Sequence, residues 1–210
     1  MRSCWCGSGV PLALTLLLAF AEPGCGRPAP GLSYADRLTA ERTSKDELFR
    51  TSSDSPIPQD RRAQLLPLAY FPPDESFVAS AALAPAAPGE RAEVEMPTST
   101  GKVRPMQRVG RLEFLLQGES LTLGAFVEAG ATDANRLFVP FTDATSGVET
   151  YAAGRYLDLD LTATGIYIVD FNRAYHPYCL YNPEYDCPYP PPENRLKIPI
   201  RAGERLTRPR

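Results

Sequence analysis

A chain of 210 residues is long enough to bury one full hydrophobic core and too short for two once a leader is removed. Hydrophobic residues at 43% and charged residues at 22% lie near the globular average and exclude wholesale disorder. The formal charge is −3 and the only basic cluster is the tail 201–210, which excludes the concentrated Lys/Arg face of a nucleic-acid binder.

Residues 1–9 carry Arg2 and no acid, and 10–21 (VPLALTLLLAFA) form an uncharged apolar run, the layout of a secretory n-region and h-region. A helix needs about 20 apolar residues to span a bilayer, so this run reads as a removable signal within 1–24. Two processing sites compete. Ala19-Phe20-Ala21 suits ordinary signal peptidase, whereas Gly24-Cys25 ends like a lipobox, with Glu22 standing where an aliphatic residue is usual. The cysteine count favours lipidation, because Cys4 and Cys6 leave with the leader, Cys179 and Cys187 form an even pair, and Cys25 is left over. The expectation is an exported protein of the cell envelope, held to the membrane by a lipid on Cys25 or released as a soluble periplasmic form. Residues 25–31, which include GRPAPG, read as a flexible tether, and 32–210 as a single domain.

Next along the chain, residues 33–51 are rich in helix formers, with Ser33 and Asp36 placed to cap and Tyr34, Leu38, Leu48 and Phe49 supplying an interrupted apolar stripe. This predicts an N-terminal amphipathic helix. A helical turn is expected at 59–65, and strand-like pieces at 68–71 and 77–83 on either side of the turn signal PPDE. Alternation is clearest from Val109 through Leu112, Phe114 and Leu116, and again through Leu121, Leu123, Ala125 and Val127, with Gln117-Gly118-Glu119 between: a hairpin with one buried and one wet face. A second hairpin joins 92–96 to 103–109 across Thr98-Ser99-Thr100-Gly101. Segments 137–141, 156–161, 166–171 and 196–200 (LKIPI) read as further strands. The fold expected is mainly β, one antiparallel sandwich or partly open barrel carrying the helix.

Two stretches hold the unusual composition, TDATSGVETYAAGRYLD at 142–158 and DFNRAYHPYCLYNPEYDCPYPPPEN at 170–194. The second packs tyrosines and prolines around two cysteines, too rigid and too long for a simple connector. On these residues, with PFTDATSG, TYAAGRYLD, DFNRAYHPYC, YNPEYDCPYPPPEN and IRAGE, the chain resembles a bacterial family of unknown function, DUF1684, from about Asp46 onward. The resemblance implies a common fold and a shared site, and supplies no activity. At His176 the family more usually carries Asn, which argues against a dedicated histidine function.

Export favours a disulfide between Cys179 and Cys187. A metal set drawn from His176, Cys179, Cys187 and Asp186 matches no strong zinc spacing, and neither metal nor cofactor is expected. No G-x-S-x-G elbow surrounds Ser146. Charged, amide and tyrosine side chains at strand ends and loops are the ligand-binding candidates: Asp143, Tyr151, Arg155, Asp158, Asn172, Tyr175, Tyr181 and Asn194. Two functions follow. The first is a non-catalytic module binding a small molecule or envelope component in a cleft beside the 179–187 loop, lined by Tyr151, Tyr156, Tyr175, Tyr178, Tyr181 and Tyr185. The alternative is a metal-independent hydrolase with Asp170 and Glu193 as base and acid and Arg155 orienting substrate, which requires those three to converge on one cavity. Ion pairs and loop-fixing amides that merely hold the segment in place compete with both.

Overall fold

A computed structural model describes residues 31–87, 93–133 and 135–207; the leader, Cys25 and all of the tether but Gly31 lie outside the described residues. The helix α1 spans Tyr34–Thr51. Ser33, in extended geometry, accepts the Asp36 N–H at 3.1 Å and so satisfies one of the first-turn donors. Of the expected stripe, Leu38 and Phe49 are buried, Tyr34 is half-buried and Leu48 is exposed. Polar contacts complete the docking: the Tyr34 hydroxyl donates to Asp170 at 2.9 Å, Arg42 donates to the carbonyls of Phe71 and Asn172, and Asp46 accepts the Leu68 N–H. A 3-10 turn at Gln59–Arg61 runs into the single-turn helix α2, Arg62–Leu65, where a helical turn was expected.

The strands are β1 (Val78–Pro85), β2 (Glu93–Pro97), β3 (Val103–Leu116), β4 (Glu119–Glu128), β5 (Arg136–Phe141), β6 (Arg155–Asp160) and β7 (Tyr167–Asp170). They form one antiparallel sheet in the order β6-β5-β4-β3-β1-β7, with β2 beside β3. The outermost strands β6 and β7 approach one another through the Leu161–Tyr167 bridge, so the sheet curls into a nearly closed barrel. Of the two architectures anticipated, the barrel is the one adopted. One edge of the long β3 is shared: Gly110 to Phe114 pair with β1, and Val103 to Gln107 pair with β2. A bulge between Arg108 and Gly110 on the β4 side bends the strand where that change of partner occurs.

The β3–β4 turn is made by Gln117 (φ 50°) and Gly118 (φ 87°). Two successive left-handed residues match the right-handed twist of the flanking strands, and glycine takes the second without a Cβ penalty. Alternate residues of the strands point inward and fill the barrel, with Leu112, Leu123, Leu137, Val139, Phe141 and Val169 inaccessible to solvent. A smaller cluster on the outer face gathers Met96, Met106 and Phe126.

The expected strand at 196–200 does not form. Arg195 makes a single parallel bridge with Thr142, and Leu196 N–H donates to the Thr142 carbonyl at 2.8 Å, after which the chain bends. The bend at Lys197 and Ile198 breaks the register, and the next N–H on that side, that of Ile200, goes to the Asp143 carboxylate at 3.2 Å instead of to a strand carbonyl.

A tyrosine-walled cleft on the outer barrel face

From Asp170 the chain turns back over the barrel as an arch that ends at Asn194. It is tied down by backbone bonds at three places: Tyr156 with Tyr175, Thr98 with Pro188, and Thr142 with Arg195. Asn194, fully buried, reaches beneath the arch and closes a ring of bonds, accepting the Gly124 N–H at 2.6 Å and donating to the carbonyls of Gly124 and Pro140. Between the arch and the sheet lies a cleft of about 530 Å³. Cavities of a few hundred to a thousand cubic ångströms are the size that holds small molecules.

The floor of the cleft comes from outward-pointing strand residues, Met106 of β3, Phe138 of β5 and Tyr156 of β6. The roof and far wall are Tyr175, Tyr178, Tyr185 and Pro188 of the arch. Two hydroxyls are committed: Tyr156 donates to the Pro188 carbonyl at 2.5 Å and Tyr175 donates to Asp158 Oδ2 at 3.0 Å. Burial, followed by the neighbouring Asp158, pushes the Tyr175 phenol well above its usual value, so it stays a donor. The same carboxylate accepts Arg136 at 3.3 Å, and that bond raises the already high Arg136 value. Arg104, at the other end, donates to the Asp186 carbonyl at 2.7 Å.

Of the residues singled out from sequence, Tyr156, Asp158, Tyr175, Tyr178, Tyr185, Asp186 and Cys187 line this cleft, whereas Tyr151 and Tyr181 do not. Nor does Arg155. Its side chain is 0% exposed, paired with Asp143 at 2.8 Å and donating to the carbonyls of Ile200, Ala202 and Glu204. Asp143 is filled in turn by the N–H groups of Thr145 and Ile200. Asp170 accepts from Tyr34, Asn172 and Arg173, whereas Glu193 pairs with Arg108 on a partly exposed edge. Arg155, Asp170 and Glu193 therefore sit in three separate networks, and none of them lines the cleft. Asn172 is buried, bridging Asp74 and Asp170.

Tyr181 is buried and donates to Glu204 at 2.8 Å. Glu204 was not anticipated. It lies in the last described segment with 1% exposure, and its carboxylate also accepts Lys45 of α1 at 2.7 Å and the His176 N–H at 2.7 Å. Gly203 makes this possible: at φ +79° a Cβ there would meet the carbonyl oxygens of Ala174 at 2.5 Å and Phe171 at 2.7 Å. His176 Nε2 accepts the Tyr151 N–H at 3.2 Å, so its proton sits on Nδ1, 3.6 Å from Glu204. Burial draws the imidazole down to about 4. Burial also lifts the Tyr151 phenol to about 12.

The disulfide expected from the sequence is not formed in this structure, where both Cys179 and Cys187 are free thiols. They lie side by side, with the Cys179 N–H donating to Cys187 Sγ at 3.2 Å. A hydrogen bond from Cys187 lowers the Cys179 thiol to about 6, and burial opposes it. Backbone bonds also hold this part of the arch: Ser99 N–H donates to the Cys187 carbonyl and Tyr189 N–H to the Pro97 carbonyl.

This fold has relatives. The family described as "Protein of unknown function (DUF1684)" matches residues 64–205. The chain belongs to the DUF1684 family. Among solved structures, it is similar to the solution NMR structure of an uncharacterized protein from the haloarchaeon Haloarcula marismortui, at 37% identity and a TM-score of 0.63, over 81% of this chain and 92% of that one. No curated protein matches. The family match takes in both long motifs, and with them every residue of the cleft.

Proposed function

We propose that this DUF1684 protein is an exported component of the cell envelope that binds a small molecule, without transforming it, in the cleft beneath the arch. The observation that carries the reading is the cleft itself: a cavity of about 530 Å³ with an aromatic floor and roof and a few charged groups in its lining. Large apolar walls with a few placed polar groups are the usual anatomy of a ligand site. Export rests on the basic and apolar leader 1–24, and attachment to the membrane on acylation of Cys25. In an oxidising compartment the adjacent Cys179 and Cys187 would join and fix the roof.

The hydrolase reading finds no comparable support, since its base, acid and orienting residue lie in separate networks. The binding reading is tested on protein purified after expression of the full chain. The only tryptophan is Trp5, in the leader, so after processing no tryptophan masks tyrosine emission, and four of the ten tyrosines, Tyr156, Tyr175, Tyr178 and Tyr185, line the cleft. Screening fragments of differing charge against tyrosine fluorescence and ring NMR resonances should give saturable shifts at Tyr156, Tyr175 and Tyr185. A screen that moves none of these rings overturns the reading. Mass measurement of the same protein, with and without reductant, reports acylation and the sulfur bond together.

A further inference from the structure

The rings of the cleft meet close to right angles. Phe138 and Tyr156 lie 4.8 Å apart at 73°, Tyr156 and Tyr175 5.7 Å apart at 90°, and Tyr178 and Tyr185 5.4 Å apart at 82°. A parallel stack hides π-faces against one another, whereas an edge-to-face pair leaves the faces of the edge-on ring uncovered. Perpendicular rings around a hollow make a box whose walls carry the negative side of the aromatic quadrupole. Tyr175 already uses one face in this way, with Lys45 Nζ 5.0 Å from its centroid and approaching from α1, outside the cleft.

The charges point the same way. Four carboxylates line the cleft, Glu128, Asp133, Asp158 and Asp186, against two guanidiniums, Arg104 and Arg136. Both guanidiniums are engaged by acids: Arg136 by Asp158 and Asp160, Arg104 by Asp186. The lining is therefore left with a surplus of negative charge. An anion would meet that surplus with no uncommitted guanidinium to receive it. A sugar could donate to these carboxylates but, being neutral, would gain nothing from the surplus charge, and the Tyr156 and Tyr175 hydroxyls are spent on Pro188 and Asp158. What these two rings present to a ligand is their faces.

We infer that the cleft selects an organic cation, a quaternary or substituted ammonium, through cation–π contact with Phe138, Tyr156, Tyr175, Tyr178 and Tyr185 under the surplus carboxylate charge. This rests on the reading that the cleft binds a small molecule, and it names the class of that molecule. The test titrates choline and its uncharged isostere 3,3-dimethylbutan-1-ol into the purified protein, following the ring resonances of the cleft. Phenol and glucose serve as uncharged aromatic and sugar probes.

Choline should bind saturably and about tenfold or more tighter than the isostere, the difference carried by its charge. Replacing Tyr185, half-exposed at the rim, separates ring from hydroxyl: Tyr185→Phe should keep choline affinity and Tyr185→Leu should lower it about fivefold. Equal binding of choline and the isostere, or binding of phenol or glucose without choline, overturns the cation inference and leaves the ligand cleft standing. Failure of all four probes to move any cleft ring overturns the inference, and the wider fragment screen then decides whether the binding reading falls with it. Choline affinity unchanged in Tyr185→Leu, with a native spectrum, also overturns it.

Discussion

Replacing Arg155 with Leu would leave the Asp143 carboxylate sealed in the protein without its cation, a situation far costlier than losing an exposed pair. Removing one partner of a buried ion pair costs about 3–5 kcal/mol, because the remaining charge has lost its water and gained nothing. Urea unfolding of Arg155→Leu should register a loss of that size, and the double variant Arg155→Leu with Asp143→Leu should recover a large part of it. Additive losses would mean that the two side chains act independently, contrary to their 2.8 Å contact. The residue scale is also where sequence was least informative. Asp143 and Arg155 stand at loop and strand ends, the usual address of functional side chains, and nothing in their neighbourhood announces that 200–204 will fold over them and offer three carbonyls. The clamp of Lys45 on Glu204 was invisible for a related reason: 159 positions separate the partners.

At the scale of elements, the arch is held by its three backbone ties and by Asn194, so its mobility should answer to changes there. Asn194→Ala removes the partner of the Gly124 N–H and of two carbonyls at once. A cost of about 2–4 kcal/mol follows from leaving buried backbone groups unsatisfied, and hydrogen exchange at the Gly124 amide should accelerate more than at Leu137 in the barrel interior. Oxidation of the thiols should act in the other direction. Closing the short loop between Cys179 and Cys187 would add about 2–3 kcal/mol to stability through the denatured ensemble, measured as a higher urea midpoint that reductant abolishes. An identical midpoint with and without reductant, in protein whose mass proves the bond, would remove sulfur from any account of how the roof is kept. Elements were the best-read level of the sequence. The period-two alternation of β3 and β4 and the serine cap of α1 are local signals, and each lies where its chemistry placed it. The last strand was misread because the apolar run 196–200 looks like an edge strand, while its Ile200 N–H is claimed by the Asp143 carboxylate, 57 positions away. Of the cleft floor, Tyr156 was among the tyrosines expected to line a cleft, but Met106 and Phe138 went unnoticed because they occupy outward positions, where alternation leads one to expect solvent; only the returning arch turns that face into a wall.

On the scale of the whole molecule, α1, the arch and the C-terminal segment meet at one buried titrating cluster, and its protonation should set how the protein tolerates acid. His176 titrates near 4 in the folded protein because burial disfavours the imidazolium, with Arg155 and Lys45 adding repulsion and Glu204 opposing them. Its unfolded value is about 6.5. The folded value is the lower, so the unfolded chain binds the extra proton first. The stabilising contribution is complete above pH 6.5 and is lost as pH falls toward 4, on the order of 3 kcal/mol across that window. Glu204 works in the same direction lower down. Burial pushes its carboxyl up, but the Lys45 ammonium and the bonds from Lys45 and His176 outweigh it, and the net displacement is downward from 4.5. Its contribution is present above pH 4.5 and declines below. Stability should therefore fall continuously from neutrality into acid, in two overlapping stages. A His176→Gln variant, whose amide can still accept the Tyr151 N–H but cannot titrate, should flatten the first stage and keep the second. Urea midpoints between pH 7 and pH 3.5 for both proteins give the comparison, and parallel curves above pH 4.5 would show that His176 is not what ties the barrel, the arch and α1 to pH.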